Sequence, residues 1–340
     1  MVANPVLVEN YRGDFLECIH RGAFAVVDFT GEVLRAAGDV KRPLYMRSAA
    51  KPLQALPVIE SGAADEFGLS PREIAVAASS HSGCKIHTRA VEEILTKAGL
   101  KIENLLCGIH APAHPSERER LIREGIAPSP LHNNCSGKHA GMLVLAKFLG
   151  ASLEDYVSPE HPVQKLIRQT IAEMAGAQPQ DIKVGIDGCG APAFLLSLEK
   201  MALAYARLAR PEGLRVGLSA ERASAAQRIT GAIEKFPEMV AGPGRFTTDL
   251  IETCGGKLFA KGGALGVFCV GVPEKGLGMA LKIDDGSGPA YYPLVVEILR
   301  RLEVLDEEEL AALESYRRPL IKNWRGEVVG EVVPRLDEPG

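Results

Sequence analysis

The chain has 340 residues, 46% hydrophobic and 24% charged, which is enough apolar material to bury a substantial core. A formal net charge of -4, with no basic run interleaved with aromatics, argues against a nucleic-acid or anionic-membrane partner. No apolar stretch approaches the ~20 residues of a transmembrane helix, and the first residues lack the basic and apolar blocks of an export signal. The expectation is a soluble, cytoplasmic protein whose seven cysteines are thiols rather than bridges.

The sequence opens in β structure. Leu7-Val8-Glu9-Asn10-Tyr11 alternates apolar and polar, Phe24-Ala25-Val26-Val27 is a short apolar run, and Asp28-Phe29-Thr30-Gly31 turns into Glu32-Val33-Leu34. From about Ser48 the period becomes helical, and Ser61-Gly62 stops it. Pro71 opens the next helix, with Ser70 as N-cap and Glu73 completing a capping box. Further helices are predicted over about 88–98, 138–149, 161–175, 193–209 and 219–235. Strands are predicted at 183–186, 265–270 and 278–283, then a loop at 284–289, a helix at 291–302 and a final strand pair or strand at 327–333. Strands at both ends of a helical middle imply an α/β chain of the α+β kind. Its N- and C-terminal strands would form a mixed sheet with helices on its faces. The chain reads as one catalytic unit over 1–340, with a helical sub-lobe at about 48–180. No G-x-G-x-x-G follows a first strand, which speaks against a dinucleotide-binding fold.

Four segments carry groups able to do chemistry. In Arg47-Ser48-Ala49-Ala50-Lys51-Pro52, serine and lysine three apart share a helix face, and Pro52 places them near the helix start. A lysine in a dry site sheds its proton more readily and can act as base to the serine; the same residues also suit a plain N-cap serine and a solvated lysine. Ala78-Ser79-Ser80-His81-Ser82-Gly83 sets three serines around a histidine, or is simply a helix end stopped by glycine. His132-Asn133-Asn134-Cys135-Ser136-Gly137-Lys138-His139 is no P-loop, since His132 stands for the first glycine and His139 for the metal-holding Ser/Thr. So long a polar run needs partners, from a ligand, a metal or the cap of the next helix. Finally, an apolar strand ends in Asp187-Gly188-Cys189-Gly190, where the chain can turn sharply and approach a ligand.

Cys135 and Cys189 are the thiols set in such loops. With a nitrogen or oxygen ligand they could hold zinc, or they could be ordinary buried cysteines. Cys107, His110 and His114 offer ligand types too, but Pro112 and Pro115 forbid the helix that would align the two histidines. Lys261 beside Gly262-Gly263 is either a plain strand end or a partner for Ser80.

Together these segments resemble the L-asparaginase family of the Rhizobium etli type, asparaginase II or class 3. The residues that carry the resemblance are 47–52, 79–83, 132–139, Ser158-Pro159-Glu160-His161-Pro162, 187–192 and Ala260-Lys261-Gly262-Gly263-Ala264, in unchanged order along essentially the whole chain. The resemblance implies a serine β-lactamase/glutaminase-like fold, a homodimer, and hydrolysis of the small-molecule substrate L-asparagine. It implies two Ser–Lys tandems, here Ser48 with Lys51 and Ser80 with Lys261, with Ser48 as the expected nucleophile. It further implies a Zn2+ site at Cys135, Lys138 and Cys189, with Arg47, Asn134, His139, Asp187 and Gly188 around metal and substrate. Leu265, where the family carries Glu, and Thr247-Thr248-Asp249 depart from the pattern and bear on how Lys261 is placed. The rivals are a glutaminase, β-lactamase or D,D-peptidase on the same fold, although no K-T-G triplet is present, and a non-catalytic amino-acid sensor.

Overall fold

The two ends of the chain build one sheet. In the computed structural model, which describes residues 3–211 and 217–336, β1 (Val6–Arg12) and β2 (Phe15–Asp28) form a hairpin. β3 (Val33–Ala37) folds back on β2, and β4 (Leu44–Tyr45) leads away. β5 (Val184–Ile186) and β6 (Pro192–Leu196) join β4 in a small separate sheet of order β4-β6-β5. The late strands are β7 (Phe259–Gly263), β8 (Val267–Val272), β9 (Leu277–Ile283), β10 (Leu320–Lys322) and β11 (Val328–Pro334). The main sheet runs β10-β11-β1-β2-β9-β8-β7, with β3 also on β2.

The sheet departs from expectation in one respect. Every pairing among the described strands is antiparallel, so the sheet is not mixed. The reason is connectivity. β1–β2, β7–β8–β9 and β10–β11 are joined by short turns, which can only reverse the chain, and no helical crossover returns a strand in parallel. The apolar run Phe24–Val27 lies in the half of β2 buried between β3 and β9, which explains why it lacks alternation.

Between the strands lie α1 (Lys51–Glu60), α2 (Ala63–Glu66), α3 (Pro71–Ala77), α4 (Lys85–Lys97), α5 (Pro115–Glu124), α6 (Ser136–Phe148) and α7 (Pro162–Met174). They are followed by α8 (Leu198–Ala209), α9 (Ala220–Lys235), α10 (Pro237–Val240), α11 (Phe246–Cys254), α12 (Tyr291–Arg301), α13 (Glu307–Ala312) and α14 (Glu314–Arg317). α8 packs on β2, β8 and β9, and α12 on β1, β9 and β11. α1 is enclosed by α6, α7 and α9 and is buried from Lys51 to Ile59, as expected of a helix apolar all round. One hydrophobic cluster runs from the sheet (Val26, Leu281) through α1 (Leu53, Leu56) to α6 (Leu143). No helix among the described residues is long and apolar enough to cross a membrane.

Local signals held where they were chemical. Ser70 and Glu73 form the predicted capping box. The predicted helix at 193–209 is instead β6 followed by α8, which begins at Leu198 with Ser197 as cap. A short apolar run fits either state, and pairing with β4 and β5 decides it. The strand predicted at 265–270 starts later, at Val267, because Leu265 and Gly266 turn through left-handed φ values of 59° and 73°.

Candidate active site

Close backbone approaches bring the motifs together. A Cβ on Gly137 would stand 2.2 Å from the Val76 carbonyl, so only glycine lets the first turn of α6 lie on the end of α3. That contact sets Cys135, Ser136 and Lys138 beside the segment Ser79–Gly83. A Cβ on Gly263 would stand 2.8 Å from the Met46 carbonyl, so β7 lies against the chain just before Arg47 and carries Lys261 to the Ser48 turn. Ser80 is held by its own N–H on the Val240 carbonyl at 3.0 Å. His81 Nε2 lies 2.9 Å from Ser136 Oγ, which donates to the Leu131 carbonyl at 2.9 Å. Burial holds the His81 imidazole well below its ordinary pKa, aided by the neighbouring His87.

The serines share a cavity of about 210 Å3, lined by Ser48, Ser80, Asn134, Arg245, Thr247 and Lys261 among others. Lys51, 1% exposed, donates from Nζ to Ser80 Oγ at 2.7 Å, to Cys135 Sγ at 3.2 Å and to the Asn134 carbonyl at 3.3 Å. The lysine of the Ser48-x-x-Lys51 motif therefore serves Ser80, which corrects the expected pairing. Helix spacing says only which groups share a face; the loop pressed against that face supplies the acceptor. Ser48 Oγ makes no hydrogen bond among the described residues. Lys261, 2% exposed, donates to the Gly262 carbonyl at 2.8 Å and not to Ser80. Both amines are pushed down from the ordinary lysine value. Burial is the main cause for each, joined by the Lys51 charge at Lys261 and by the Lys138 charge at Lys51.

A second cluster lies on the other side of Lys51. Cys135, the residue before α6, meets Cys189 from the β5–β6 turn, and Lys138 Nζ donates to Cys189 Sγ at 3.1 Å. The bond from Cys189, with the Lys51 and Lys138 charges, holds the Cys135 thiol well below its ordinary value against the cost of burial. The same bond, with burial, raises Cys189, so the pair resists losing its second proton. Burial would lower Lys138, but the negative charge of the Cys135–Cys189 pair outweighs it and raises its pKa. Nearby, Arg47 Nη2 meets Asp187 Oδ1 at 2.9 Å, and the same oxygen takes the Gly188 N–H at 2.8 Å. That N–H is therefore occupied rather than open to an oxyanion. His139 Nδ1 is 2.7 Å from the Tyr156 hydroxyl, while His139 Nε2 and Arg47 Nε are buried without a hydrogen-bond partner among the described residues.

The donor chemistry fits a zinc ion on one condition. No group of three His, Cys, Asp or Glu among the described residues can hold a metal, so a site at Cys135 and Cys189 must draw on Lys138. The 3.1 Å between Lys138 Nζ and Cys189 Sγ is close to the ~3.5 Å that separates nitrogen and sulfur ligands of one tetrahedral zinc. Lys138 must give up its proton to bind.

The segment Cys107–His114 is not a metal site. Cys107 Sγ points to backbone carbonyls, His114 Nδ1 pairs with Ser116, and His110 Nε2 accepts the Asn134 N–H at 3.0 Å. His110 thus pins Asn134, a role its local sequence does not signal. Arg245, Thr247, Tyr291 and Tyr292 also line the cavity, yet none of them belongs to a motif that spacing picks out as chemical. Leu265, 62% exposed, sits on the β7–β8 turn outside the lining, whereas its neighbour Ala264 is part of it.

A sequence model of the family described as L-asparaginase II matches residues 8–334. No curated protein matched the chain. Among solved structures, a β-lactamase from Mycobacterium bovis is 14% identical over 84% of this chain and 95% of that one, with a TM-score of 0.45. The octameric penicillin-binding protein homologue from Pyrococcus abyssi is 14% identical over 82% of this chain and 73% of that one, with a TM-score of 0.40.

Proposed function

Because the chain belongs to the L-asparaginase II family, we propose that it hydrolyses the side-chain amide of L-asparagine to L-aspartate and ammonia. The observation that carries the mechanism is the 2.7 Å contact between Lys51 Nζ and Ser80 Oγ at the wall of the serine cavity. Nucleophile and base are already within transfer distance, and the depressed Lys51 pKa favours the neutral amine that a base requires. At about 210 Å3 the cavity is smaller than the ~300–1,000 Å3 usual for drug-sized ligands, which suits an amino acid.

Ser80 Oγ attacks the amide carbon as its proton passes to Lys51 Nζ. When the tetrahedral intermediate collapses, Lys51 returns that proton to the amide nitrogen and ammonia leaves a β-aspartyl ester on Ser80. Water then attacks the ester with Lys51 again as base, and the proton goes back to Ser80 Oγ as aspartate departs. Ser48, whose hydroxyl is unengaged, donates to the developing oxyanion, and Lys261 adds a second amine to the same wall. This exchanges the roles that the Ser48-x-x-Lys51 motif suggests. Asn134 lines the cavity, with Arg47, His139, Asp187 and Gly188 shaping the ground beside it.

Zinc, when bound, would be held by Cys135, Lys138 and Cys189 and would supply a fixed positive charge beside the substrate. In its absence Lys138 keeps its proton against the charged thiol pair. Zinc titration of purified protein in weak buffer should therefore release protons and raise the Tm, with Cys135→Ser abolishing both. Neither change in the wild type would remove the metal from this reading. The reaction itself is tested by ammonia release from L-asparagine and L-glutamine. Release from asparagine supports the proposal, and release from neither, with or without zinc, sinks it.

A further inference from the structure

One wall of the serine cavity is the start of α11, which contributes Arg245, Phe246 and Thr247 to the lining. α11 has nine residues, and its first internal bond runs from the Asp249 N–H to the Arg245 carbonyl at 3.0 Å. The N–H groups of Phe246, Thr247 and Thr248 precede that bond and have no carbonyl within the helix. The residue in the cap position, Arg245, accepts nothing through its side chain. A cation at this end also works against the helix dipole, so Arg245 does not serve the helix. It is exposed, and its side chain makes no hydrogen bond or ion pair among the described residues.

Thr247 supplies an independent sign. Its neighbour Thr248 is fully used, donating to the Gly242 carbonyl at 2.8 Å and the Pro237 carbonyl at 3.2 Å. Thr247 is 7% exposed, lines the cavity, and makes no side-chain hydrogen bond among the described residues. The unengaged hydroxyl of a buried threonine, a helix N-terminus and an uncommitted guanidinium meet at one cavity wall, and all three favour an anion. The rival cation, Arg47, is already bonded to Asp187 and does not line the cavity.

We propose that Arg245, Thr247 Oγ1 and the first N–H groups of α11 bind the α-carboxylate of the substrate. This holds the amino acid with its side-chain amide towards Ser80. The assignment rests on the asparagine reading above and names the subsite that selects free amino acids over simple amides.

The test compares L-aspartate with β-alanine, which is aspartate without its α-carboxylate. Dissociation constants of both are measured on the full-length wild type, on Arg245→Gln, on Thr247→Val and on Arg47→Gln, with Tm as the check on folding. The wild type should prefer aspartate by ~10–100-fold, the value of a charge-assisted contact. Arg245→Gln should collapse that preference to within ~3-fold and raise the KM for asparagine far more than it lowers kcat. Thr247→Val should lose part of the preference, and Thr247→Ser should restore it. An unchanged ratio in both Arg245→Gln and Thr247→Val, or a collapse confined to Arg47→Gln, overturns the carboxylate assignment and leaves the asparaginase reading standing. A wild type that neither binds aspartate nor releases ammonia overturns both.

Discussion

Lys261 and Lys138 are both almost wholly buried, at 2% and 4% exposure, yet their surroundings drive them in opposite directions. Lys261 faces a carbonyl and the charge of Lys51, and its pKa falls. Lys138 faces two thiols that share a negative charge, and its pKa rises. Burial penalises the charge of both; the neighbour decides the outcome. Burial thus lowers both amines on the serine side, while the thiol side holds an ion pair. Lys51 stands between them, bonded to Ser80 on one side and Cys135 on the other.

The comparison can be broken most sharply by activity. Ser80→Ala should lower kcat/KM for asparagine by ~10,000-fold or more, as expected when a nucleophile is removed. Ser48→Ala should cost ~100–1,000-fold, the loss of one oxyanion donor. The reverse order in steady-state rates would restore Ser48 as the nucleophile and leave the Lys51–Ser80 contact without a catalytic purpose.

Stability gives the next largest contrast. Lys138→Met removes one of the two buried amines that face the charged thiol pair, leaving Lys51 alone, and should cost up to ~3–5 kcal/mol in denaturant unfolding of metal-free protein. Lys261→Met removes an amine held only by a carbonyl and should cost under ~1 kcal/mol, although it harms turnover. A larger loss at Lys261 than at Lys138 would erase the distinction between the two sides.

Acid should act on the serine side through the histidines behind it. His87 stacks on His81 with ring centroids 4.9 Å apart, and burial lowers its pKa from 6.5 to about 4. Between those values the unfolded chain binds a proton that the folded protein refuses. The contribution of His87 is therefore intact above pH 6.5 and is lost as pH falls towards 4. At ~1.36 kcal/mol per pKa unit the loss is roughly 3 kcal/mol. His87→Gln should flatten this part of the stability curve, and an unchanged slope would exclude His87 as its source.

Much of this is legible in the sequence. The strands at the chain ends, the Ser70–Glu73 capping box and the placing of Ser48 and Lys51 at a helix start all follow from periodicity and local backbone chemistry. These are short-range signals, written in residues a few positions apart. The small strand β6 was not legible, since Pro192–Leu196 is apolar enough for either state until β4 and β5 pair with it.

What only the tertiary structure decided is which groups face one another. Spacing put Lys51 with Ser48; packing of the Ser79–Gly83 loop under α6 gave it to Ser80. The sheet is wholly antiparallel: short hairpins set most of its pairs, and the β2–β9 and β1–β11 seams bring together strands from the two ends of the chain, a matter of connection rather than composition. Arg245 and Thr247 joined the cavity only because α11 folds across it from a stretch that carries no motif. Residue type and period set the elements, since those depend on neighbours along the chain. The protonation of each lysine and the partner of each serine depend on atoms brought from far away, and those the fold alone supplies.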